Sequence, residues 1–298
     1  RKKEMSVKAD MEQLYLKAMG KINLGLDVVR KREDGYHEVR MIMQTVGVYD
    51  RITLNRSRTP GIRITTNLYF LPVNENNLVY KAAQMLMEEF QVDEGLEINL
   101  QKYIPVAAGM AGGSADAAAV LYGVNRMFRL GLSQKGLMER GVKIGADVPY
   151  CLMRGTALSE GIGEVLTRLP AAPDCKVIIA KPGVSVSTKY VYGHLDAAGI
   201  QEHPDIDGMV RAIREGSYEG VVSRLGNVLE TVTQERHPVI GQIKELLTVH
   251  GADGALMSGS GPTVFGLFRE EKKAREALRA LEKSRLAKQM YLTGLFSP

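Results

Sequence analysis

The segment from Pro105 to Ala119, PVAAGMAGGSADAAA, constrains the fold of this 298-residue chain more than any other. An alternating pattern leads into it, with Leu96, Ile98 and Leu100 apolar and Glu97, Asn99 and Gln101 polar. That period of two predicts a half-buried strand. A small-residue helix runs out of it, from about Ser114 to Phe128. Gly109, Gly112 and Gly113 lie between the two. Glycine adopts φ > 0 and lets the backbone come close to a ligand. A helix start adds unpaired N–H groups and the positive end of a dipole. Together these read as a phosphate cradle. A tight turn with small residues for packing is the plainer reading.

Several chemistries are excluded. No Gly-Lys-Ser/Thr follows the glycines, and no GxGxxG fingerprint with a downstream acid occurs. No GxSxG elbow is present for a serine nucleophile. A hydrophobic content of 45% with 24% charged residues suits one large or two medium globular domains. No apolar run reaches the length of about 18 residues that a membrane span needs. Residues 1–10, RKKEMSVKAD, precede Met11 and read as a tag or disordered extension. They hold four basic and two acidic residues, a share of the formal +5. The remaining charge is dispersed, which suits an anionic small molecule rather than nucleic acid. The two cysteines, Cys151 and Cys175, and the five histidines form no metal-ligand spacing. Reduced thiols and a cytoplasmic setting are therefore expected, with no membrane or metal centre.

Along the chain, Ile22, Leu24, Leu26 and Val28 alternate with Lys21, Asn23, Gly25 and Asp27 within a strand-like stretch from Leu14 to Val29. The period puts Lys21 and Asn23 on one face, opposite the core and exposed. Asp34-Gly35 marks a turn, with Tyr36 and His37 immediately after it. Two ring side chains there are either exposed or able to stack on and hydrogen-bond a base. Glu38–Thr45 is mixed, and Tyr49–Leu54 and Ile62–Thr66 read as short strands. Asn77 caps a helix whose stripe is Leu78, Ala82, Leu86 and Phe90. Ser133 caps another. Asp147, among small and apolar residues before Pro149, is either an N-cap or a positioned carboxylate. A domain junction is expected near residue 165, dividing 11–165 from 166–298. The second half reads as a strand at Val177–Ala180 and helices over 188–195, 206–214, 218–225 and 238–249. A strand–turn–strand unit around Ser258–Gly261, a charged helix from about Glu270 to Lys283 and a last strand complete it.

Two glycine-rich turns around a lysine and an aspartate outline a phosphoryl-transfer site. Here the sequence resembles a known family. Lys21-Ile22-Asn23-Leu24, Pro105–Ala119 and Ser258-Gly259-Ser260-Gly261-Pro262 resemble the three motifs of the GHMP small-molecule kinases. KINLGLDVVRKREDGYHEV and SGSGPTVFGLF narrow the resemblance to the branch acting on a cytidine-diphosphate-linked methylerythritol, in non-mevalonate isoprenoid synthesis. The resemblance spans nearly everything from Met11 onward.

It implies a two-domain α+β GHMP kinase fold, with an N-terminal domain like ribosomal protein S5 domain 2 and a ferredoxin-like C-terminal domain. It implies transfer of the γ-phosphoryl group of ATP, with Mg2+, to a 2-hydroxyl. Asp147 matches the family's proton acceptor and Lys21 its partner cation. Asn23, Tyr36, His37, Thr188 and Tyr192 match the substrate side, with His37 on the cytosine edge and the two tyrosines sandwiching the ring. Asn77 matches a position near the adenine. Pro105, Val106, Ala107, Ala108, Gly109, Met110, Ala111, Gly112, Gly113, Ser114 and Ala115 match the loop around the ATP phosphates. Two departures stand out. Met19-Gly20 replaces the usual Pro-Ala before the lysine, and GGSA replaces GGSS or GGST, so Ala115 offers no hydroxyl.

The alternatives are another kinase of the superfamily acting on a mevalonate derivative, homoserine or a sugar; an inactive nucleotide sensor; and an RNA-binding module. Tyr36-His37 discriminates against the first, and the intact Lys21 and Asp147 against the second. The lack of a dense basic stripe discriminates against the third. A monomer or weak homodimer fits the sequence.

Overall fold

Alternation in the first part of the chain builds two long antiparallel strands, β1 (Gln13–Lys31) and β2 (His37–Ser57). The structure described is a computed structural model covering residues 11–298, so the extension expected over 1–10 lies outside the described residues. The ladder runs from Gln13↔Asn55 to Lys31↔His37, closed by a turn in which Gly35 has φ 84° and Tyr36 N donates to Asp34 Oδ1 at 3.1 Å. Where the sequence suggests a mixed stretch and a short strand, β2 is one strand of 21 residues.

A bulge in β1 decides what its side chains do. Asn23 lies opposite Met43 and Gly25 opposite Ile42, so Leu24 is an extra residue on β1. An extra residue inverts the alternation beyond it. Ile22 and Leu24 therefore join one core cluster with Ile206 and Met209, while Leu26 and Val28 join another with Met41 and Met43. Lys21 and Asn23 do share a face. That face is not exposed, however: Lys21 keeps 5% of its surface and Asn23 none. The expectation of a solvated lysine is corrected, because this side of β1 floors a cleft.

The first half continues with β3 (Ile62–Thr66), α1 (Leu78–Glu89), β4 (Gly95–Gln101), α2 (Gly112–Met127), α3 (Gln134–Gly141), α4 (Val148–Met153), β5 (Thr156–Glu160) and β6 (Val165–Arg168). Asn77 Oδ1 accepts from Val79 N at 3.1 Å and Ser133 Oγ from Gly136 N at 3.1 Å, as N-caps should. The sheet runs β3-β4-β2-β1, with β5 on β2 and β6 on β5. Small residues let α2 lie close to it. Ala117 and Ala118 are buried, and a Cβ at Gly123 would press into Leu16 and Leu54.

The second half holds β7 (Lys176–Lys181), α5 (Thr188–His194), α6 (Ile206–Arg214), α7 (Tyr218–Val222), β8 (Gly226–Asn227), α8 (Glu230–Arg236), α9 (Val239–Val249), β9 (Gly254–Met257), β10 (Val264–Phe268), α10 (Glu271–Ser284) and β11 (Gln289–Gly294). Its antiparallel sheet has the order β11-β7-β10-β9, the ferredoxin-like arrangement. This is the two-domain α+β fold that the sequence predicts. The chain leaves the first sheet after Arg168 and enters the second at Lys176. The halves are interlocked: β8 pairs in parallel with β1 at Gly25↔Gly226, and Val46 bridges Leu295.

Candidate active site

The glycine-rich loop leaves β4 at Gln101 and ends at α2. Ala107, Gly109 and Ala111 have φ of 49°, 79° and 54°, all left-handed. For alanine that conformation costs roughly 1–2 kcal/mol, the kind of strain found at ligand-binding loops. Ala111 caps α2 without a side-chain bond, and the first intrahelical donor is Ala115 N, to Ala111 O at 2.8 Å. The N–H groups of residues 112–114 therefore remain at the helix start, where an anion is favoured.

Residues 258–261 brace this loop from the other domain. Ser258 Oγ donates to Gly109 O at 2.9 Å and accepts from Asn23 N at 3.3 Å. Asn227 Nδ2 donates to Met257 O and to Gly259 O, each at 2.8 Å. A Cβ at Gly109 would collide with the Ser258 carbonyl oxygen. Gly109→Ala is therefore expected to raise the KM for ATP at least about tenfold with a smaller change for the second substrate. Steady-state kinetics varying each substrate in turn would measure this, and unchanged ATP kinetics would contradict it.

Lys21 N donates to Met110 O at 3.1 Å, which ties β1 to the same loop. Its Nζ donates to Asn23 Oδ1 at 2.7 Å and lies 4.0 Å from Asp147 Oδ2. Asp147 occupies the N-cap position of α4 but makes no cap bond, and its side chain is 31% exposed. The carboxylate is thus left facing the cleft rather than serving the helix.

The other end of the cleft is set by strand period. His37, Val39, Met41 and Met43 are alternate residues of β2 and all line it. The His37 ring lies 5.2 Å from that of Tyr192, tilted by 45°. Burial, with Lys31 adding to it, holds the His37 pKa below its ordinary value. A neutral imidazole offers one donor and one acceptor, which suits the edge of a base. Burial and the nearby Asp147 push the Tyr192 phenol up to about 12, so it stays neutral. Tyr36 is 61% exposed at the rim. Thr188 Oγ1 lies 2.8 Å from Ser260 Oγ.

One cleft of about 870 Å³ gathers Lys21, Asn23, Tyr36, His37, Asp147, Thr188 and Tyr192. From the loop it takes Ala107, Ala108, Gly109, Ala111, Gly112, Gly113 and Ser114. Pro105, Val106, Met110 and Ala115 do not line it. Ala115 is 2% exposed within the core, where a hydroxyl would have been buried. Asn77 is also outside; its amide is used by Val79 N and Pro72 O, although the adjacent Leu78 lines the cleft. Lys31 and Lys189 line the cleft too and went unsingled in the sequence, where each reads as an ordinary surface lysine.

Residues 77–155 match the family model described as GHMP kinases N terminal domain, and residues 205–288 that described as GHMP kinases C terminal. The 4-diphosphocytidyl-2-C-methyl-D-erythritol kinase of Lachnospira eligens is 57% identical over 288 residues, covering 97% of this chain and 100% of that one. The chain belongs to the 4-diphosphocytidyl-2-C-methyl-D-erythritol kinase family. The Bacillus subtilis 4-diphosphocytidyl-2-C-methyl-D-erythritol kinase is 49% identical over 265 residues, covering 89% of this chain and 91% of that one. A crystal structure of 4-(cytidine 5'-diphospho)-2C-methyl-D-erythritol kinase matches with a TM-score of 0.83 at 29% identity, over 96% of this chain and 100% of that one. Homoserine kinase from Cytophaga hutchinsonii reaches a TM-score of 0.77 at 21% identity, over 97% and 96%, which is a likeness of fold.

In this diphosphocytidyl-methylerythritol kinase family member the loop also has a buried ionic anchor that sequence reasoning missed. Lys102, Asp50 and Asp116 retain 8%, 0% and 3% of their surface. Lys102 Nζ donates to Asp50 Oδ2 and, at 2.6 Å, to Asp116 Oδ2. Asp50 Oδ1 accepts from Tyr103 N at 2.5 Å and Ile104 N at 2.8 Å. The triad thus joins β2, the entry of the loop and the helix after it. Burial pulls the Lys102 pKa down, but Asp116 and Asp50 outweigh it and leave the ammonium raised. Burial pushes the Asp116 carboxyl well above the usual range. No signal joins these residues in the sequence, since they lie on three separate elements.

Proposed function

We propose that the chain transfers the γ-phosphoryl group of ATP to the 2-hydroxyl of 4-diphosphocytidyl-2-C-methyl-D-erythritol. The observation that carries this reading is a single cleft with a phosphate-ready helix start, a lysine–aspartate pair and a base-sized aromatic end. The N–H groups at the start of α2 and the loop hold the nucleotide phosphates. The substrate hydroxyl oxygen attacks the γ-phosphorus, the bond to the β–γ bridging oxygen breaks, and ADP leaves. Asp147 orients the hydroxyl and accepts its proton; a loose transition state asks little more of a base. Lys21, held by Asn23, offsets the negative charge around the transferred group.

Mg2+ accompanying ATP would add charge neutralisation there. Among the described residues no group of three His, Cys, Asp or Glu side chains could hold a metal. Mg2+ commonly takes most of its ligands from substrate phosphates and water, so the Ser114 hydroxyl in the cleft is the protein ligand we assign. Chelation by EDTA should abolish turnover and added Mg2+ restore it.

At the far end, His37 hydrogen-bonds the cytosine edge while Tyr192 and Tyr36 flank the ring. His37→Ala is expected to raise the KM for the cytidyl substrate about tenfold and to leave that for ATP within twofold, the cost of roughly one buried hydrogen bond. Equal losses for both ligands would count against base reading. The reaction itself is tested by phosphorylation assays with the cytidyl substrate beside mevalonate, homoserine and galactose. Preference for any of the last three would sink the substrate assignment. We read the enzyme as cytoplasmic, because ATP and the two buried free thiols, Cys151 and Cys175, suit a reducing compartment; cell fractionation would test this. Among the described residues no helix is long and apolar enough to cross a membrane.

A further inference from the structure

Lys21 and Asp147 come from a strand and a helix, and the two elements must be held in register for the pair to work. Behind the cleft, Thr45 is bonded to both elements. This residue is the ladder partner of Lys21 on β2. Its N–H donates to Gly155 O at 3.0 Å, and its Oγ1 accepts from Gly155 N at 3.0 Å. Its Oγ1 also lies 3.0 Å from Tyr150 Oη, and Tyr150 Oη donates to Gly155 O at 2.7 Å.

A phenol has one proton. With that proton on Gly155 O, the remaining bond must run from Thr45 Oγ1 to Tyr150 Oη. The result is a closed ring: Gly155 N–H to Thr45, Thr45 O–H to Tyr150, Tyr150 O–H back to Gly155 O. Each hydroxyl both gives and receives, so nothing in it is left wanting. Thr45 is 2% exposed and Tyr150 1%. A fully satisfied buried network of this kind is rigid, and breaking one member strands the others. Burial also pushes the Tyr150 phenol up, which keeps its proton in place.

The ring ends at the Asp147 helix. Tyr150 is on the first turn of α4, three residues beyond Asp147, and Asp147 O accepts from Cys151 N at 3.0 Å. Gly155 follows that helix with φ 83°. The chain end adds a second layer: Thr45 O accepts from Phe296 N at 2.9 Å, and Gln44 Nε2 donates to Phe296 O at 3.0 Å.

We propose that Thr45 and Tyr150 are positioning residues that set the gap between Lys21 and Asp147. The proposal rests on the reading that this pair carries phosphoryl transfer. Neither residue lines the cleft, so loss of the ring should move the reacting groups without altering substrate contacts. Misplacement of order 1 Å can cost about 100-fold in rate.

The test uses Thr45→Val, which keeps the shape and removes the hydroxyl, Thr45→Ser, which restores it, and Tyr150→Phe. Expected for Thr45→Val and Tyr150→Phe is a kcat about tenfold or more below the parent, with both KM values within twofold, below the unfolding temperature of each variant. Thr45→Ser should recover kcat to within about threefold. Parent-like kcat in a folded Thr45→Val, or equal impairment of Val and Ser variants, would overturn the proposal. If Thr45→Val does not fold, Tyr150→Phe decides alone, since it retains the ring volume. The readings separate cleanly. An active Asp147→Asn enzyme refutes the assigned pair, whereas an inactive one beside a fully active Tyr150→Phe refutes only the positioning.

Discussion

Asp147→Asn is expected to lower kcat by about 100- to 10,000-fold, the usual contribution of a positioned acid–base group, while ATP still binds. The substitution keeps volume and planarity and removes only the negative charge and the proton acceptor. It should leave the fold unharmed, because Asp147 makes no cap bond to α4 that the amide would lose. ATP affinity should change little, since the N–H groups at the helix start, residues 112–114, rather than the Asp147 carboxylate, are the groups available to the phosphates. Equilibrium dialysis of ATP together with single-turnover phosphoryl transfer measures both quantities. Turnover within tenfold of the parent would remove Asp147 from the chemistry. A large loss confined to the KM for the hydroxyl substrate would instead make it a binding group.

What the sequence could show follows the range of the forces involved. The strand, loop and helix around Pro105–Ala119 are contiguous, and their patterns are local, so the cradle is legible. Lys21, His37 and Asp147 become legible through the family resemblance; without it, Lys21 reads as a solvated lysine. A period of two shows which residues share a face, not that the face floors a cleft. It also does not reveal the β1 bulge at Leu24, which turns Leu26 toward the cleft side while Ile22 and Leu24 pack under α6. β2 is illegible as one strand because polar Gln44 and Thr45 interrupt its apolar residues. Both are buried by partners over 100 positions away, at Tyr150, Gly155 and Phe296. Helix α8, over ETVTQER, escapes notice because it has neither a side-chain cap nor an apolar stripe. Two-residue β8 exists only because the opposite edge of β1 is there to pair with it.

Lys102→Met tests how far the loop depends on what lies beneath it. Methionine has nearly the volume of lysine without the charge, so packing is kept while Asp50 and Asp116 lose their shared cation. Removing one partner of a buried ion pair typically costs about 3–5 kcal/mol. Asp50 retains the two backbone N–H groups of Tyr103 and Ile104, so the stranded charge is chiefly that of Asp116. Its carboxyl is already pushed up by burial, and loss of Lys102 removes the main opposing influence. The sign of the pH dependence follows. A carboxyl raised in the folded state favours folding below its unfolded pKa, near 4, and that benefit is lost as pH rises through the folded value. The deficit in Lys102→Met should therefore be larger at pH 8 than at pH 5, by urea denaturation at each. A second substitution, Asp116→Leu, should return much of the stability, since an apolar replacement of a buried pair is often neutral or better. If the KM for ATP is above the parent's in that stabilised double variant, the triad's main role is to set the loop rather than to hold the fold. A pH-independent deficit, or none at all, would show that Asp116 is not the group left uncompensated.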